Sequence, residues 1–364
     1  MTSPTEGGTR RRALVVGTGL IGGSIALGLR RRGWHVSGLD SDEGRLLEAK
    51  ASGVIDAVAD DLDAEVVFVA VPATSVAQVV RDLLADPGRR PDAVVTDVSG
   101  VKSAIVAQVD HPRFIGGHPM AGSEQVGLHG ADPDLFEGAV WVLTPTAATD
   151  LESFDRIKGV VMSLGADVLV LSAEDHDRLV AVVSHVPHLV AATLMNAAST
   201  GAQQDGALLR LAAGGFRDMT RVAAGHPGIW PDICAENATA IVRALDALVG
   251  DLSAIREQVA AQDRVGLLDV LEDASAARRN LPARIARPDH LAELRIRVPD
   301  RPGELAAITS LAAEAGIGIY DIEIAHSAEG PSGVLILVVD DADADTLAAA
   351  VEAKGYRGQV AHLS

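Results

Sequence analysis

The pattern that most constrains this chain is a glycine-rich turn directly after a short apolar run near the N-terminus. The run ALVVG leads into GTGLIGG, in which three glycines satisfy the spacing G-x-G-x-x-G. Between a strand and a helix, this spacing lets backbone amides and a helix N-terminus approach a pyrophosphate. The turn therefore predicts an α/β fold with a dinucleotide site formed by Gly17, Thr18, Gly19, Leu20, Ile21 and Gly22.

An acidic residue follows the turn at the distance that such a site requires. Asp40 ends the second predicted strand, eighteen residues after Gly22, where its carboxylate would accept hydrogen bonds from the hydroxyls of the adenosine ribose. The same charge would repel a 2′-phosphate, which favours NAD over NADP, although a nearby basic residue, Arg45, can accommodate that phosphate. A later strand ends in VAVP, so Val71 and Pro72 are candidates for the wall beside the nicotinamide ribose.

Short apolar runs between residues 13 and 171 are rich in β-branched side chains, and several are separated by segments of crossover-helix length. Their apolarity is nearly continuous, so both faces of the strands should be covered. We therefore predict a disordered tail at 1–9, followed at 10–171 by an α/β Rossmann-type dinucleotide-binding domain with a doubly wound, mostly parallel sheet.

The pattern becomes helical after the last of these strands. A serine followed by acidic residues opens a long stretch with apolar residues at helical spacing. We expect an all-helical substrate and dimerisation domain at 172–279, and a proline-marked linker at 280–290. The remainder, 291–364, has the element order βαββαβ, which predicts a ferredoxin-like sandwich.

Charge and cysteine content exclude several classes of function. The chain of 364 residues has a net charge of -19, so it would repel a nucleic-acid backbone instead of releasing its counterions. The single cysteine, Cys234, excludes an intramolecular disulfide and fits a reducing cytoplasm. Arg10–Arg12 precede an uncharged stretch, but that stretch has too many glycines for a signal peptide, and no other apolar run reaches membrane-spanning length. We expect a cytoplasmic protein with no nucleic-acid or membrane partner.

Polar side chains follow two of the later predicted strands. The sequence TDVSGVK places Asp97, Ser99 and Lys102 at the carboxyl edge of the sheet, where ligands bind in open α/β folds. In FIGGHPMAGSE, glycines and a proline fix the backbone around His118. An imidazole there can hydrogen-bond a hydroxyl and take its proton as a ketone forms. We therefore predict His118 as the acid/base group of a hydride abstraction.

The helical segment carries a second polar set. In SHVPH, His185 and His188 are three residues apart and share one helical face. That spacing also occurs in metal sites, but no cysteine or carboxylate stands at ligand spacing, so we predict no metal. Arg217 and Arg221 are four residues apart in GGFRDMTR, and Trp230 follows in HPGIW. Arginine suits bidentate recognition of carboxylates, so this set predicts a pocket for an anionic substrate.

Taken in order, GTGLIGGS, TDVSGVK, GGHPMAGSE, SHVPH, GGFRDMTR and HPGIWPDI closely resemble the prephenate and arogenate dehydrogenases over residues 13–280. PDRPGEL, with the βαββαβ order after it, resembles an ACT domain, a module that commonly binds amino acids in paired copies. The first resemblance implies oxidative decarboxylation in tyrosine biosynthesis. In such a reaction NAD would take hydride from the ring carbon bearing the 4-hydroxyl, the ring carboxylate would leave as carbon dioxide, and 4-hydroxyphenylpyruvate would form.

The resemblance also implies roles for individual residues. His118 would hydrogen-bond the 4-hydroxyl and assist its deprotonation, while Arg221 and Lys102 would hold substrate carboxylates. One departure concerns the serine that the family has two residues before its lysine, because Gly100 stands there and the hydroxyl comes one residue earlier, at Ser99. Either Ser99 reaches the substrate or His118 carries more of the orientation. The remaining pocket residues would be His185, His188 and Trp230.

The motifs are compatible with more than one function. The same motifs serve arogenate dehydrogenases, whose substrate has an amino group where prephenate has a side-chain ketone. A 3-hydroxyacid dehydrogenase would need a catalytic lysine on a glycine-rich helix, which has no clear counterpart here. A non-enzymatic sensor of NAD or amino acids would leave the polar sets idle. We also expect a homodimer, with tyrosine as an effector at the ACT-like segment, where Gly318 replaces an asparagine found in many amino-acid-binding ACT domains.

Overall fold

The computed structural model describes residues 10–122, 127–279, 291–299, 301–326 and 332–363. The predicted tail at 1–9 and the predicted linker at 280–290 lie outside these ranges. By internal contacts the chain forms two units. The first comprises residues 1–195 and 222–251, and the second comprises 196–221 and 252–364.

The first unit contains an eight-stranded sheet with strand order β3-β2-β1-β4-β5-β6-β7-β8. All neighbouring strands are parallel except β6 and β7, which are antiparallel. The strands are β1 (Arg12–Val16), β2 (His35–Leu39), β3 (Ala57–Val58), β4 (Val66–Val69), β5 (Val94–Asp97), β6 (Phe114–Pro119), β7 (Val140–Thr144) and β8 (Asp167–Val170). The predicted Rossmann-type sheet is therefore confirmed.

Helices cover both faces of this sheet, which explains the continuous apolarity of the strands. Alternate residues of β4 face opposite sides: Phe68 packs in one apolar cluster with Ile25 and Ile157, whereas Val67 packs in another with Val80. The covering helices are α1 (Leu20–Arg31), α2 (Glu43–Ala51), α3 (Ala73–Ala85), α4 (Ser103–Val106) and α5 (Leu151–Ser163).

The strand order reverses between β1 and β4, which are neighbours although other elements separate them in sequence. Each of these strands leads at its carboxyl end into a helix, α1 or α3. In open α/β sheets, ligands bind in the crevice outside such a reversal point. The fold thus positions the predicted glycine turn and the VAVP segment on the two sides of one crevice.

After β8 the described chain is helical up to residue 279. Ser172 caps the first of these helices, because its Oγ accepts a hydrogen bond from the Asp175 amide at 3.0 Å. Short 3₁₀ turns connect several helices, namely Leu208–Leu211, Arg221–Ala224 and Pro227–Ile229. The helices are α6 (Ala173–Val180), α7 (Val186–Gln204), α8 (Gly214–Thr220), α9 (Trp230–Glu236), α10 (Ala238–Ala260) and α11 (Arg264–Arg279).

A π-helical turn at Ala181–His185 joins α6 and α7 into one continuous helix, Ala173–Gln204. By length and composition this helix is apolar enough to cross a membrane, so the prediction that no such segment follows the N-terminal stretch was wrong. The reason is that the π-helical turn does not end α6, so the apolar residues on both sides of it belong to one helix. One such helix is weak evidence for a membrane span, since the core helix of a soluble protein can have the same length and composition.

The C-terminal segment forms a separate antiparallel sheet with strand order β10-β11-β9-β12. Leu294, Ile308, Leu337 and Leu347 lie in its core between the sheet and two helices. The predicted βαββαβ order is observed. Its elements are β9 (Leu291–Pro299), α12 (Glu304–Glu314), β10 (Ile319–His326), β11 (Ser332–Asp340), α13 (Asp341–Ala353) and β12 (Arg357–Leu363).

Candidate active site

The glycine turn after β1 has a geometry that only glycine satisfies at two of its positions. Gly17 has φ +95°, and a Cβ atom there would lie 2.2 Å from the carbonyl oxygen of Ala70. A Cβ atom on Gly22 would lie 1.9 Å from the carbonyl oxygen of Gly17. Gly19, by contrast, has no heavy atom within 4 Å of that position. The turn is thus closed against the sheet and open on the side where a pyrophosphate would approach the amides that begin α1.

The remaining predicted turn residues lie in the same short segment. Thr18 is buried at the bend, while Leu20 and Ile21 begin α1 with partly exposed side chains. Val71 and Pro72 follow β4, and Pro72 caps α3. These positions fit the predicted floor and wall of a dinucleotide site, in which the roles of the individual side chains stay predictions.

Asp40 accepts several hydrogen bonds at the end of β2. Thr18 donates to it from its amide at 2.7 Å and from its hydroxyl at 3.0 Å, and the Asp42 amide donates at 2.9 Å. The Arg45 guanidinium is 3.4 Å away. Burial opposes ionisation, but these hydrogen bonds and the Arg45 charge outweigh it and hold the pKa of Asp40 below its usual value. Asp40 is therefore a fixed carboxylate beside the turn, with one cation next to it.

Asp97 and Lys102 form a fully buried ion pair at the carboxyl end of β5. Asp97 also accepts hydrogen bonds from the amides of Ser99 at 2.9 Å and Gly117 at 3.1 Å. Burial lowers the pKa of Lys102, although Asp97 opposes that change. The resemblance implied that Lys102 holds a substrate carboxylate, but its ammonium already faces a protein carboxylate and is shielded from solvent. Ser99 is buried as well, and its Oγ accepts from the Val101 amide at 3.4 Å.

His118 lies in β6 and makes a hydrogen bond that the sequence did not predict. Its Nδ1 is 2.8 Å from Nε2 of His176, and Nδ1 of His176 is 2.8 Å from Oδ1 of Asp177. Asp177 also accepts from the amides of Lys102 and Ser103, both at 2.8 Å. His176 is fully buried and Asp177 is 4% exposed. The start of α6 is thereby fixed to the start of α4 and to the predicted catalytic imidazole.

The other nitrogen of His118 faces the position where this chain lacks the family serine. A Cβ atom on Gly100 would lie 3.6 Å from Nε2 of His118. Burial, together with the neighbouring His176, Lys102 and His185, lowers the pKa of His118 well below its usual value. The imidazole is therefore neutral at neutral pH and has a free lone pair to accept a proton.

The histidines of SHVPH and the tryptophan of HPGIW come together as expected. Trp230 stacks on His188 with ring centroids 3.6 Å apart and meets His185 edge-on at 6.2 Å. Asn237 joins this group to the rest, since its amide donates to the backbone oxygen of Asp177 at 2.8 Å and lies 3.3 Å from Nδ1 of His185. Burial lowers the pKa of His185 to about 4 and also lowers that of His188. The group therefore consists of two imidazoles and one indole, and one of its members, His185, is near enough to contribute to the lowered pKa of His118.

The two arginines of GGFRDMTR lie in the second unit, as part of residues 196–221. Arg217 is in the last turn of α8, and Arg221 begins the 3₁₀ turn that follows; both are exposed. Arg221 as a carboxylate ligand stays a prediction. Within the described part of the chain, no group of three or more His, Cys, Asp or Glu residues could hold a metal ion.

Sequence reasoning missed three residues of this network, His176, Asp177 and Asn237. The segment SAEDHD predicts only a helix start, which is what the structure shows there. The one available signal was a histidine next to an aspartate early in that helix, a pattern too common to assign a role.

Two family models match the chain. The model described as "Prephenate dehydrogenase, nucleotide-binding domain" matches residues 25–170, and "Prephenate dehydrogenase, dimerization domain" matches residues 172–273. A prephenate dehydrogenase of Bacillus subtilis is 34% identical over 336 residues, which cover 88% of this chain and 90% of that protein.

The chain is also similar to solved structures of prephenate and arogenate dehydrogenases. The crystal structure of prephenate dehydrogenase from Aquifex aeolicus in complex with hydroxyphenyl propionate and NAD+ superimposes with a TM-score of 0.70 at 30% identity. The superposition covers 76% of this chain and 100% of the Aquifex aeolicus chain. The crystal structure of an arogenate dehydrogenase from Synechocystis has a TM-score of 0.64 at 33% identity, and covers 73% and 98% of the two chains.

Proposed function

This chain belongs to the prephenate dehydrogenase family, and from that premise we propose that it oxidises prephenate to 4-hydroxyphenylpyruvate and carbon dioxide with reduction of NAD, in tyrosine biosynthesis. The observation that carries the proposal is the neutral, hydrogen-bonded imidazole of His118 at the carboxyl edge of the sheet. A base of this kind suits oxidation of a secondary alcohol, because the hydroxyl must lose its proton as hydride leaves.

The residues around the glycine turn fit a nicotinamide dinucleotide. Gly17 and Gly22 allow the turn to close, and the open side of Gly19 leaves room for a pyrophosphate. Asp40 supplies a carboxylate for the adenosine ribose, and Thr18 fixes its position. When bound, NAD would supply the hydride acceptor.

The protein supplies a place for the hydroxyl proton. We assign its uptake to Nε2 of His118, since Nδ1 is already engaged with His176. The proton returns to the same oxygen when the carboxylate leaves and the ring becomes a phenolate, so the reaction as a whole releases no proton. His185, His188 and Trp230 would line the pocket, and Arg221 would bind a substrate carboxylate.

Lys102 receives a different role from the one that the resemblance implied. Its ammonium is paired with Asp97 inside the protein, and Asp97 in turn holds the amides of Ser99 and Gly117. We therefore assign Lys102 the positioning of the β5–α4 loop against β6, directly before His118. Ser99 would act on this loop too, since its hydroxyl accepts from the backbone.

Arogenate is the second candidate substrate, favoured by the similarity to the Synechocystis arogenate dehydrogenase. The test is the absorbance of the reduced cofactor after mixing the protein with prephenate or arogenate and with NAD or NADP. We expect reduction with prephenate and NAD, and a lower kcat/KM with arogenate. A higher kcat/KM with arogenate would overturn the choice of substrate, and no reduction with any pair would overturn the activity.

Assembly and regulation complete the proposal. The match to a dimerisation domain, together with exposed apolar side chains at Val182, Val183 and Val242, favours a homodimer in which these surfaces are covered. We place the enzyme in the cytoplasm, with tyrosine as an effector bound at the ACT-like segment 291–364. The tyrosine site is tested by titrating tyrosine against the full chain and against a chain ending near Pro288. We expect inhibition of the full chain alone, whereas equal inhibition of both would place tyrosine in the catalytic site.

A further inference from the structure

We propose that His176 and Asp177 act through His118 as positioning residues of the chemical step, an inference that rests on the proposed role of His118. The three side chains form one continuous chain of two hydrogen bonds, each 2.8 Å long. It joins β6 to α6, two elements 58 residues apart at the point of contact. A purely packing role would not require two polar side chains in line behind a third.

The proton positions along these two hydrogen bonds follow from Asp177, the buried carboxylate at their end. Burial opposes ionisation of Asp177, but hydrogen bonds from His176, Ser103 and Lys102 hold its pKa below the usual value. An ionised carboxylate only accepts hydrogen bonds, so Nδ1 of His176 carries a proton and Nε2 of His176 has a lone pair. His118 must then donate from Nδ1, which leaves the lone pair on Nε2. The carboxylate thus fixes the tautomer of two histidines.

This tautomer is the one that the proposed reaction needs. Nε2 of His118 faces Gly100, where no side chain fills the space. When the O–H bond of the substrate breaks, its proton passes to Nε2, and the hydride of the carbinol carbon passes to NAD. The imidazolium formed at His118 is stabilised by His176 and Asp177 behind it. Loss of carbon dioxide leaves its bonding electrons in the ring, and the phenolate oxygen takes the proton back.

The first experiment distinguishes the loss of the hydrogen-bond acceptor that fixes the His118 tautomer from the loss of the link to the Asp177 charge. His176→Leu removes the acceptor for Nδ1 of His118, whereas His176→Gln keeps an acceptor oxygen but breaks the link to Asp177. We expect kcat to fall by about 100-fold in H176L, at the lower end of the range for lost acid/base assistance, and by only about tenfold in H176Q, which keeps the acceptor. KM for prephenate should change less than threefold in both. Asp56→Asn is a matched control, because Asp56 also accepts an amide hydrogen bond and an arginine but takes no part in this chain.

The second experiment observes the tautomer directly, without substrate. Nitrogen-15 NMR of histidine-labelled full-length protein at neutral pH should show His118 protonated at Nδ1 and unprotonated at Nε2. The His118 signals are assigned with His118→Asn, and H176L should lose the single tautomer. A wild-type His118 protonated at Nε2 overturns the inference, as does an unchanged kcat and pH profile in H176L.

Failure of the proposed function would give a different result. If His118→Asn turned over prephenate normally, the assigned role of His118 would be wrong whatever tautomer NMR showed. If His118→Asn were inactive while H176L and H176Q retained normal kcat, only the contribution of the buried chain would be wrong. Circular dichroism of each variant checks that its fold is intact.

A separate observation in the C-terminal sheet leads us to infer a second site, for a small multivalent anion. A cavity of about 310 Å³ lies where β9 ends, α12 begins and the chain turns into β12. This volume is sufficient for a small ligand. Its charged and aromatic lining residues are Arg297, Arg301, Glu304, Lys354, Tyr356 and Arg357.

The charge of this cavity is opposite to that of its surroundings. Four of the five basic residues in 291–364 line it, although that segment has twelve acidic residues. Among the described residues that line the cavity, the one carboxylate is Glu304, which is already engaged, since it pairs with Arg301 at 3.1 Å and accepts from the Tyr356 hydroxyl at 2.6 Å. Among the described residues, the other three cations, Arg297, Lys354 and Arg357, have no carboxylate partner. Converging unpaired cations in so acidic a protein are typical of an anion site.

The test uses pyrophosphate as probe, with NAD at saturation so that the glycine turn is occupied. Calorimetry on the full chain should show saturable binding that weakens at least tenfold in the double variant Arg297→Glu, Lys354→Glu. Arg295→Glu is the matched control, because Arg295 lies on the same strand but pairs with Glu293 outside the cavity. Turnover of prephenate without pyrophosphate should be unchanged in all three proteins. No saturable binding, or equal binding by the double variant, would overturn the site.

Discussion

At position 118 the chain fixes both the backbone and the hydrogen-bond partner of one imidazole. Gly116 and Gly117 precede it in β6, where a Cβ atom on Gly117 would lie 2.6 Å from the carbonyl oxygen of Asp97. Strands β5 and β6 can therefore approach only with glycine at that position. His118 is held beside the β5–α4 loop by this approach and by His176 behind it.

The substitution His118→Asn tests the role of this imidazole. We expect kcat to fall by roughly 10²- to 10⁴-fold, as is typical when an acid/base group is lost. NAD binding, measured by fluorescence titration, should be unchanged because the glycine turn is intact. Wild-type kcat should persist as the pH falls through 6, since the pKa of His118 lies well below its usual value. An acid limb at or above pH 6.5 in the wild type would contradict this assignment.

We also expect cofactor choice to depend on a single residue, Asp40. Asp40→Ser removes the carboxylate that would repel a 2′-phosphate and leaves Arg45, now 3.4 Å from the vacated position, able to contact that phosphate. The ratio of kcat/KM for NAD to that for NADP should fall by on the order of tenfold or more, which needs only about 1.4 kcal/mol. Asp42→Ser is the control, since Asp42 also pairs with Arg45 but caps α2 instead. An unchanged ratio in the Asp40 variant would remove Asp40 from the site.

At the scale of elements, two glycines of the turn between β1 and α1 should differ in their effects, one on both stability and NAD binding and the other on NAD binding alone. Gly22→Ala places a methyl group against the Gly17 carbonyl, so it should destabilise the protein by about 1–3 kcal/mol and abolish NAD binding. Gly19→Ala meets no protein atom, so it should leave the thermal midpoint unchanged but still weaken NAD binding by blocking the pyrophosphate. Equal stability losses in the two variants, measured by calorimetry, would contradict this separation.

The same elements explain which parts of the structure the sequence predicts. The strands of the parallel sheet and the glycine turn can be predicted from local patterns. Continuous apolar residues indicate a strand buried on both faces, and the glycine spacing indicates the backbone conformation of the turn. The link between His118 and His176 is not local, since it depends on where α6 packs against β6. Likewise, the burial of Lys102 follows from Asp97 and the surrounding strands, whereas its position at a helix start indicated a solvated charge and the family resemblance implied a substrate-binding cation.

At the scale of the whole molecule, the buried histidines make stability depend on pH. Burial lowers the pKa values of His118 and His185, the latter to about 4, whereas both groups titrate near 6.5 in the unfolded chain. Between these values the unfolded state binds more protons, so stability rises with pH and is lost as the pH falls from about 6.5 towards 4. The midpoint of thermal unfolding should decrease as the pH falls over this range, and His185→Asn should make this dependence on pH weaker. A midpoint independent of pH would show that these imidazoles are not buried in the neutral form.

The central claim is that one active site couples hydride transfer to the loss of the ring carboxylate. The direct measurement uses prephenate labelled with carbon-14 in that carboxylate, with labelled carbon dioxide and NADH counted in the same reaction. We predict one carbon dioxide and one 4-hydroxyphenylpyruvate per NADH, at a rate that His118→Asn reduces equally for all three. NADH formed without labelled carbon dioxide, or carbon dioxide released without NADH, would contradict the claim.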